Sequence, residues 1–214
     1  MSHQREDAEW WGARCGKVTG SRISVILGKG RGSDWSATAT AYASHLVAER
    51  LRGECLTGAE TFAMRQGIER EPEARASYER MTGESVELVG FVPHPRIPMA
   101  GASPDGLVGD DCGVEFKCPG EQAHAVFIDQ RAPSPEYLAQ VQWCMACTGR
   151  GFWDLAFYCP EFGHPLLSLV IHTIVRDQEM IETMEERARS FLKMVEEREA
   201  ALRAEFSLEE DAAA

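Results

Sequence analysis

No apolar run in this 214-residue chain is long enough to cross a bilayer. The longest, LLSLVIHTIV at 166–175, is interrupted by Ser168, His172 and Thr173, whereas a membrane helix needs about twenty apolar residues. It is expected to be a buried strand. A basic start leading into an apolar stretch is also missing, so a cytoplasmic protein is expected. The seven cysteines, at 15, 55, 112, 118, 144, 147 and 159, are odd in number, which excludes a complete disulfide framework. Cys144 and Cys147 form a CxxC, but no second pair follows at metal-binding spacing, so they read as two small thiols on a packed helix. The histidines at 3, 45, 94, 124, 164 and 172 show no HxxxH or paired spacing, and neither a P-loop nor a GxSxG is present. Histidine-held metal, ATP use and serine chemistry have no support. Internal repeats are absent, and low complexity is confined to the tail EEDAAA.

Positive charge is scarce as well: 22 Lys and Arg face 34 Asp and Glu, a net charge of −12. Taken alone, that argues against a nucleic-acid partner, because phosphate binding is driven by Lys and Arg displacing counterions. The distribution weakens the argument. Six basic and twelve acidic residues fall within 176–214, so half of the net charge sits in the last 39 residues. What the chain does have is ordinary globular composition, 44% hydrophobic and 26% charged, and enough length for one domain spanning 1–214.

The pattern changes along the chain. EDAEWWGARCG reads as a short helix ending at Gly16, and VTGSRISVILG as another with Thr19 or Ser21 available as its N-cap. Residues 37–53 and 60–83 are helical, with Pro72 kinking the second or starting its second part, and 28–36 is a loop. After Gly83 the period becomes alternating and short segments are punctuated by Gly and Pro, the pattern of an antiparallel meander. Helices return at 121–130 and 136–148 and strands at GFWDLAFYCP and LLSLVIHTIV. An amphipathic helix over 177–206 ends the chain, with Ile181, Met184, Ala188, Phe191, Val195 and Leu202 on one stripe broken by Arg198. The expected fold class is therefore α/β (α+β), a central mixed sheet flanked by helices.

GASPDGLVGDDCGVEFKCP, 101–119, carries the chemistry. In a strand, Glu115 and Lys117 share one face and Val114, Phe116 and Cys118 the other. A carboxylate and an ammonium then stand about 7 Å apart, and a turn over Gly109–Gly113 folds Asp105 back toward them. Two carboxylates suit Mg²⁺, which takes one or two such ligands plus water and phosphate oxygens. A lysine beside them can position a nucleophile or counter developing charge. An ExK alone is a weak signal.

Asp105 with Glu115-Phe116-Lys117 resembles the D…ExK nuclease core. The ordered blocks RCGKVTGSRIS, GIEREPEARASYERMTG, ASPDGLVGDDCGVEFKCP and YLAQVQW narrow the resemblance to the lambda-exonuclease family, the YqaJ-type phage recombination nucleases. The resemblance spans residues 10 to about 145. It implies a restriction-endonuclease-like PD-(D/E)xK core and a Mg²⁺-dependent exonuclease, with Mn²⁺ able to substitute and two ions per site. That enzyme resects duplex DNA 5′ to 3′ and leaves a 3′ single strand for recombination by annealing. It further implies a homotrimer around the DNA, a single-strand annealing partner and a 5′-phosphorylated DNA end as substrate. Asp105, Glu115 and the backbone carbonyl of Phe116 match the metal ligands, Lys117 the group orienting the attacking water, and Glu71 a helix-borne acid near the second metal. Glu69 and Glu73 rival Glu71. Gln140 matches a polar residue lining the site, with Gln142 its competitor. Arg14, Ser21 and Ser103 match the grip on the terminal 5′-phosphate, and Trp10 and Trp11 are candidates to stack on the DNA end.

Three other readings stay open. An endonuclease or repair nuclease on the same core would cut closed circular DNA. A catalytically silent protein binding DNA ends or an annealing partner is weighed against by the intact Asp105, Glu115 and Lys117. An iron–sulfur nuclease of the CRISPR-adaptation type calls for a cysteine cluster near the C-terminus, and none follows Cys159.

Overall fold

The computed structural model describes residues 8–56, 62–130 and 132–207, the side chains of 62–64 excepted. Eight helices are formed among them: α1 (Ala8–Arg14), α2 (Ile23–Leu27), α3 (Ala37–Arg52), α4 (Phe62–Thr82), α5 (Glu121–Gln130), α6 (Pro135–Thr148), α7 (Pro165–Ser168) and α8 (Gln178–Glu205). Their ends follow local chemistry. Ser36, Ser134 and Asp177 cap α3, α6 and α8 by accepting the backbone N–H groups of Ala39, Tyr137 and Met180, and Gly53 and Gly149 close α3 and α6 in the left-handed region.

The strands are β1 (Val18–Thr19), β2 (Val86–Glu87), β3 (Val92–Pro93), β4 (Ala100–Ala102), β5 (Gly106–Val108), β6 (Cys112–Lys117), β7 (Phe152–Tyr158) and β8 (Leu169–Val175). They make a five-stranded mixed sheet, β2-β5-β6-β7-β8, and a separate three-stranded sheet, β1-β4-β3. The single meander expected after Gly83 is thus corrected. β3 and β4 leave the main sheet to pair with the N-terminal β1, β4 running parallel to it, and such a long-range partner cannot be read from local alternation. The parallel pair β6–β7 is joined through α5 and α6, the helical crossover that parallel strands require.

That crossover positions the site, because it covers one face of β6. Trp153, Leu155 and Phe157 of β7 pack there into the main core with Ile23, Leu46, Trp143, Met145, Ile181, Met184 and Phe191. On the opposite face Val114, Phe116, Ala156 and Tyr158 form a second core beneath α4 with Ala74 and Tyr78. Val114 and Phe116 take the α4 side, so strand alternation turns Glu115 and Lys117 toward α6.

Two further expectations are corrected. The run expected as a buried strand over 166–175 is helical at 166–168, where it belongs to α7, and the β8 that follows is an edge strand: Val175 is 62% exposed and Leu166 of α7 69%. Thr19 makes no side-chain cap, because it is committed to β1, and the residue preceding α2 is Arg22. α4 is continuous across Pro72, and its C-terminal half is anchored by the buried Ala74 and Tyr78. The stripe on α8 packs within its own chain, Phe191 stacking on Tyr42 of α3 at 5.5 Å.

Candidate active site

Glu115 is 4% exposed, a position a carboxylate occupies only when something compensates its burial. Its Oε1 accepts Lys117 Nζ at 2.8 Å and Gln140 Nε2 at 2.5 Å, and Lys117 Nζ also donates to Gln140 Oε1 at 3.0 Å. Two residues of β6 and one of α6 thereby close a three-membered polar ring. Glu115 Oε2 is buried and has no hydrogen-bond partner among the described residues. Burial opposes the charge on Lys117, yet Glu115 and Asp105 outweigh it and hold the ammonium above the ordinary lysine range. The two carboxylates thus favour the ammonium form of Lys117.

The turn between β5 and β6 brings Asp105 in. The pairing Gly106↔Val114 sets Asp105, one residue before β5, across from the Glu115–Phe116 segment, and its Oδ2 accepts the Phe116 N–H at 2.8 Å. Burial pushes the Asp105 carboxyl well above the usual carboxylate range, and Glu115 and then Glu71 push it further. Carboxylates thus converge from the residue preceding β5, from β6 and from α4 on a site with one lysine. An orphaned buried carboxylate oxygen beside mutually repelling acids is what a hard divalent cation fits.

Among the three α4 candidates, Glu71 is half-buried and its charge reaches both Asp105 and Cys118. Glu69 and Glu73 are exposed, and Glu73 is engaged with Tyr158. Gln142 is turned from the site: it donates to the Val175 carbonyl at 2.8 Å and accepts from Asp177 N at 2.9 Å.

A second group lies at the N-terminal side. Arg14 Nη1 donates to Ser103 Oγ at 2.6 Å, two residues before Asp105, and its guanidinium lies 4.2 Å over the Trp10 ring. Trp11 meets Trp10 edge-on at 4.9 Å. Because β1 and β4 are parallel with Thr19 opposite Gly101, Ser21 and Ser103 both lie just beyond the same end of the pair. Ser21 is exposed.

Tyr137 is a site residue the sequence reading passed over. Its ring lies 4.9 Å from Lys117 Nζ, one helical turn before Gln140. The i, i+3 spacing within YLAQ was the available signal.

A family model described as the YqaJ-like viral recombinase domain matches residues 9–151. The chain is 38% identical to the alkaline exonuclease LHK-Exo from Laribacter hongkongensis over 94% of this chain and 98% of that one, with a TM-score of 0.86. The structure of LHK-Exo in complex with dAMP gives 37% identity over the same shares and a TM-score of 0.87. A phage related exonuclease from Haemophilus somnus 129PT shares the fold at 16% identity and a TM-score of 0.73, over 87% of this chain and 96% of that one. No curated protein matches the chain. The fold is accordingly the restriction-endonuclease-like nuclease core, and with a model match over two-thirds of its length and near-complete cover of a relative this similar, the chain belongs to the YqaJ-like viral recombinase family.

Proposed function

We propose that this protein is a Mg²⁺-dependent exonuclease that resects one strand of duplex DNA from a phosphorylated 5′ end and leaves a 3′ single strand for annealing. The observation that carries the reading is the buried, unpartnered Glu115 Oε2 beside Asp105 and Lys117. Asp105, Glu115, Glu71 and the Phe116 carbonyl would hold two Mg²⁺ ions, which when bound supply an activated water and charge stabilisation on a phosphoryl oxygen. Lys117, protonated and tethered by Glu115 and Gln140, orients that water and offsets the charge developing in the transition state. Gln140 keeps the ammonium from collapsing entirely onto Glu115. Arg14, Ser103 and Ser21 seat the terminal 5′-phosphate, with Trp10 holding the guanidinium plane and Trp11 beside it facing the DNA end.

In this reading the whole chain acts as one nuclease domain, because α8 contributes the core residues Ile181, Met184 and Phe191. Three copies surround the DNA, an arrangement in which a chain of net charge −12 still presents a basic inner channel. A single-strand annealing protein receives the product. A sedimentation velocity run showing only monomer at working concentration overturns the trimer and leaves the chemistry standing.

The chemistry is tested with linear duplex carrying one phosphorylated and one unphosphorylated 5′ end, in Mg²⁺, alongside closed circles. Resection of the phosphorylated strand alone, intact circles and an inactive Lys117→Ala variant are expected. Cut circles would make it an endonuclease, and no cleavage at all would leave a DNA-end binding protein.

A further inference from the structure

Away from the candidate active site, Cys15, Glu49 and Cys55 bring three donor atoms within 4.8 Å of one another. They come from separate stretches: Cys15 directly follows α1, Glu49 lies in the last turn of α3, and Cys55 in the loop after it. Glu49, 5% exposed, accepts the N–H of Gly16 at 2.8 Å through Oε2 and that of Leu56 at 2.9 Å through Oε1. One buried carboxylate therefore draws both cysteine-bearing segments against α3. His45, one turn earlier on α3, brings Nε2 to 3.1 Å from Glu49 Oε1. The thiols are directed inward, Cys55 Sγ to the Trp11 carbonyl at 3.0 Å and Cys15 Sγ to that of Glu49 at 3.9 Å.

We propose that Cys15, Cys55 and Glu49, with His45 as the fourth donor, form a zinc site that fastens α1 to α3. Two sulfurs, a carboxylate oxygen and an imidazole nitrogen are a tetrahedral zinc set, too soft for Mg²⁺ and too mixed to select Cu⁺. Bond lengths of about 2.3 Å to sulfur and about 2.0 Å to nitrogen or oxygen place tetrahedral donors about 3.3–3.8 Å apart; the Cys15, Glu49 and Cys55 donors already lie within 4.8 Å of one another, and His45, which meets Glu49 Oε1, would turn in to complete the set. Glu49 Oε2 keeps a lone pair beyond its one backbone hydrogen bond, and Oε1, which also meets His45 Nε2, would free one as the imidazole turns to the metal. Two thiol protons would leave to solvent as a divalent cation binds. The helix so fastened carries Trp10 and Arg14. The site stands independently of the nuclease reading.

Cobalt substitution tests it. The reduced full-length protein is loaded with Co²⁺, desalted and scanned for the thiolate-to-cobalt charge-transfer band and the intense tetrahedral d–d bands, with bound zinc counted in parallel. One equivalent is expected, with both signatures, kept in Asp105→Asn and lost in Cys15→Ser and in Cys55→Ser. His45→Ala should weaken affinity while the charge-transfer band survives. Because the serine variants could misfold, alkylation of the wild type is followed by mass spectrometry: Zn²⁺ should slow Cys15 and Cys55 selectively and leave Cys112 and Cys118 unchanged. A wild type without the thiolate band, a band that persists in the double serine variant, or equal labelling of all cysteines with and without Zn²⁺ overturns the proposal.

Discussion

Lys117 and Asp105 share one small site yet predict separable phenotypes. Lys117 is held in place by Glu115 and Gln140 and favoured as a cation by Glu115 and Asp105, so Lys117→Ala removes transition-state charge stabilisation and should lower kcat by about 10²–10³-fold. Metal binding survives that change. Mg²⁺ at about 100 times its Kd stabilises a folded protein by about 2.7 kcal/mol, which for a chain of this size raises Tm by about 5–10 °C. Differential scanning calorimetry should show that rise in the wild type and in Lys117→Ala, and lose it in Asp105→Asn. Equal Mg²⁺ responses in all three would remove Asp105 from the metal site. Strand alternation within VEFKC was enough to pair Glu115 with Lys117. It could not say that the shared face is covered by α6, which is what makes Glu115 buried and its Oε2 orphaned.

At the scale of elements, β6 is held between two cores, and its glycine marks how tightly. A Cβ at Gly113 would meet the Trp153 ring at 2.4 Å, and Trp153 is fully buried, so the ring has nowhere to go. Gly113→Ala should cost about 1–3 kcal/mol, read as a lowered urea midpoint, and should lower activity too, since Glu115 lies two residues on. α8 offers the opposite case. Phe191→Ala removes the ring stacked on Tyr42 and set edge-on to Trp35 at 5.3 Å, and should cost about 3–5 kcal/mol with little change in KM for any fraction that stays folded. An unchanged urea midpoint in Phe191→Ala would mean that α8 is not integral to the domain. The stripe on α8 was legible because helical period is local. The edge position of β8 was not, because an apolar run reads the same whether a further strand lies beside it or water does.

Across the whole molecule, the buried pair His94 and Glu185, with Nε2 and Oε1 3.4 Å apart, ties stability to pH. Burial pushes the His94 imidazole below the usual histidine range despite the pull of Glu185. Burial alone would raise Glu185, but Arg96, His94 and Arg189 hold it below the usual carboxylate range. In both cases the unfolded chain takes up protons before the folded one as pH falls. Stability is therefore full above about pH 6.5 and declines on acidification, first through His94 and then, below about pH 4.5, through Glu185. Asp105, whose carboxyl is raised, titrates in the opposing sense, so the urea midpoint is best followed in Asp105→Asn. It should fall from pH 8 to pH 5, and the fall should flatten in His94→Gln; a flat profile in the parent counts against the pair.

The sequence by itself determined the longer helices, the strand chemistry around Glu115 and Lys117, and the order of motifs that marks the family, because capping, alternation and turn residues act within a few positions of each other. Only the tertiary structure decided that Glu71 and not Glu69 or Glu73 approaches Asp105, that Gln140 faces the site while Gln142 braces α8, that the strands divide into two sheets, and that Cys15 and Cys55 meet across Glu49. Each of those depends on which faces pack together across tens of residues of chain, and burial and charge at such contacts are properties of the packed molecule, with no period along the chain to announce them.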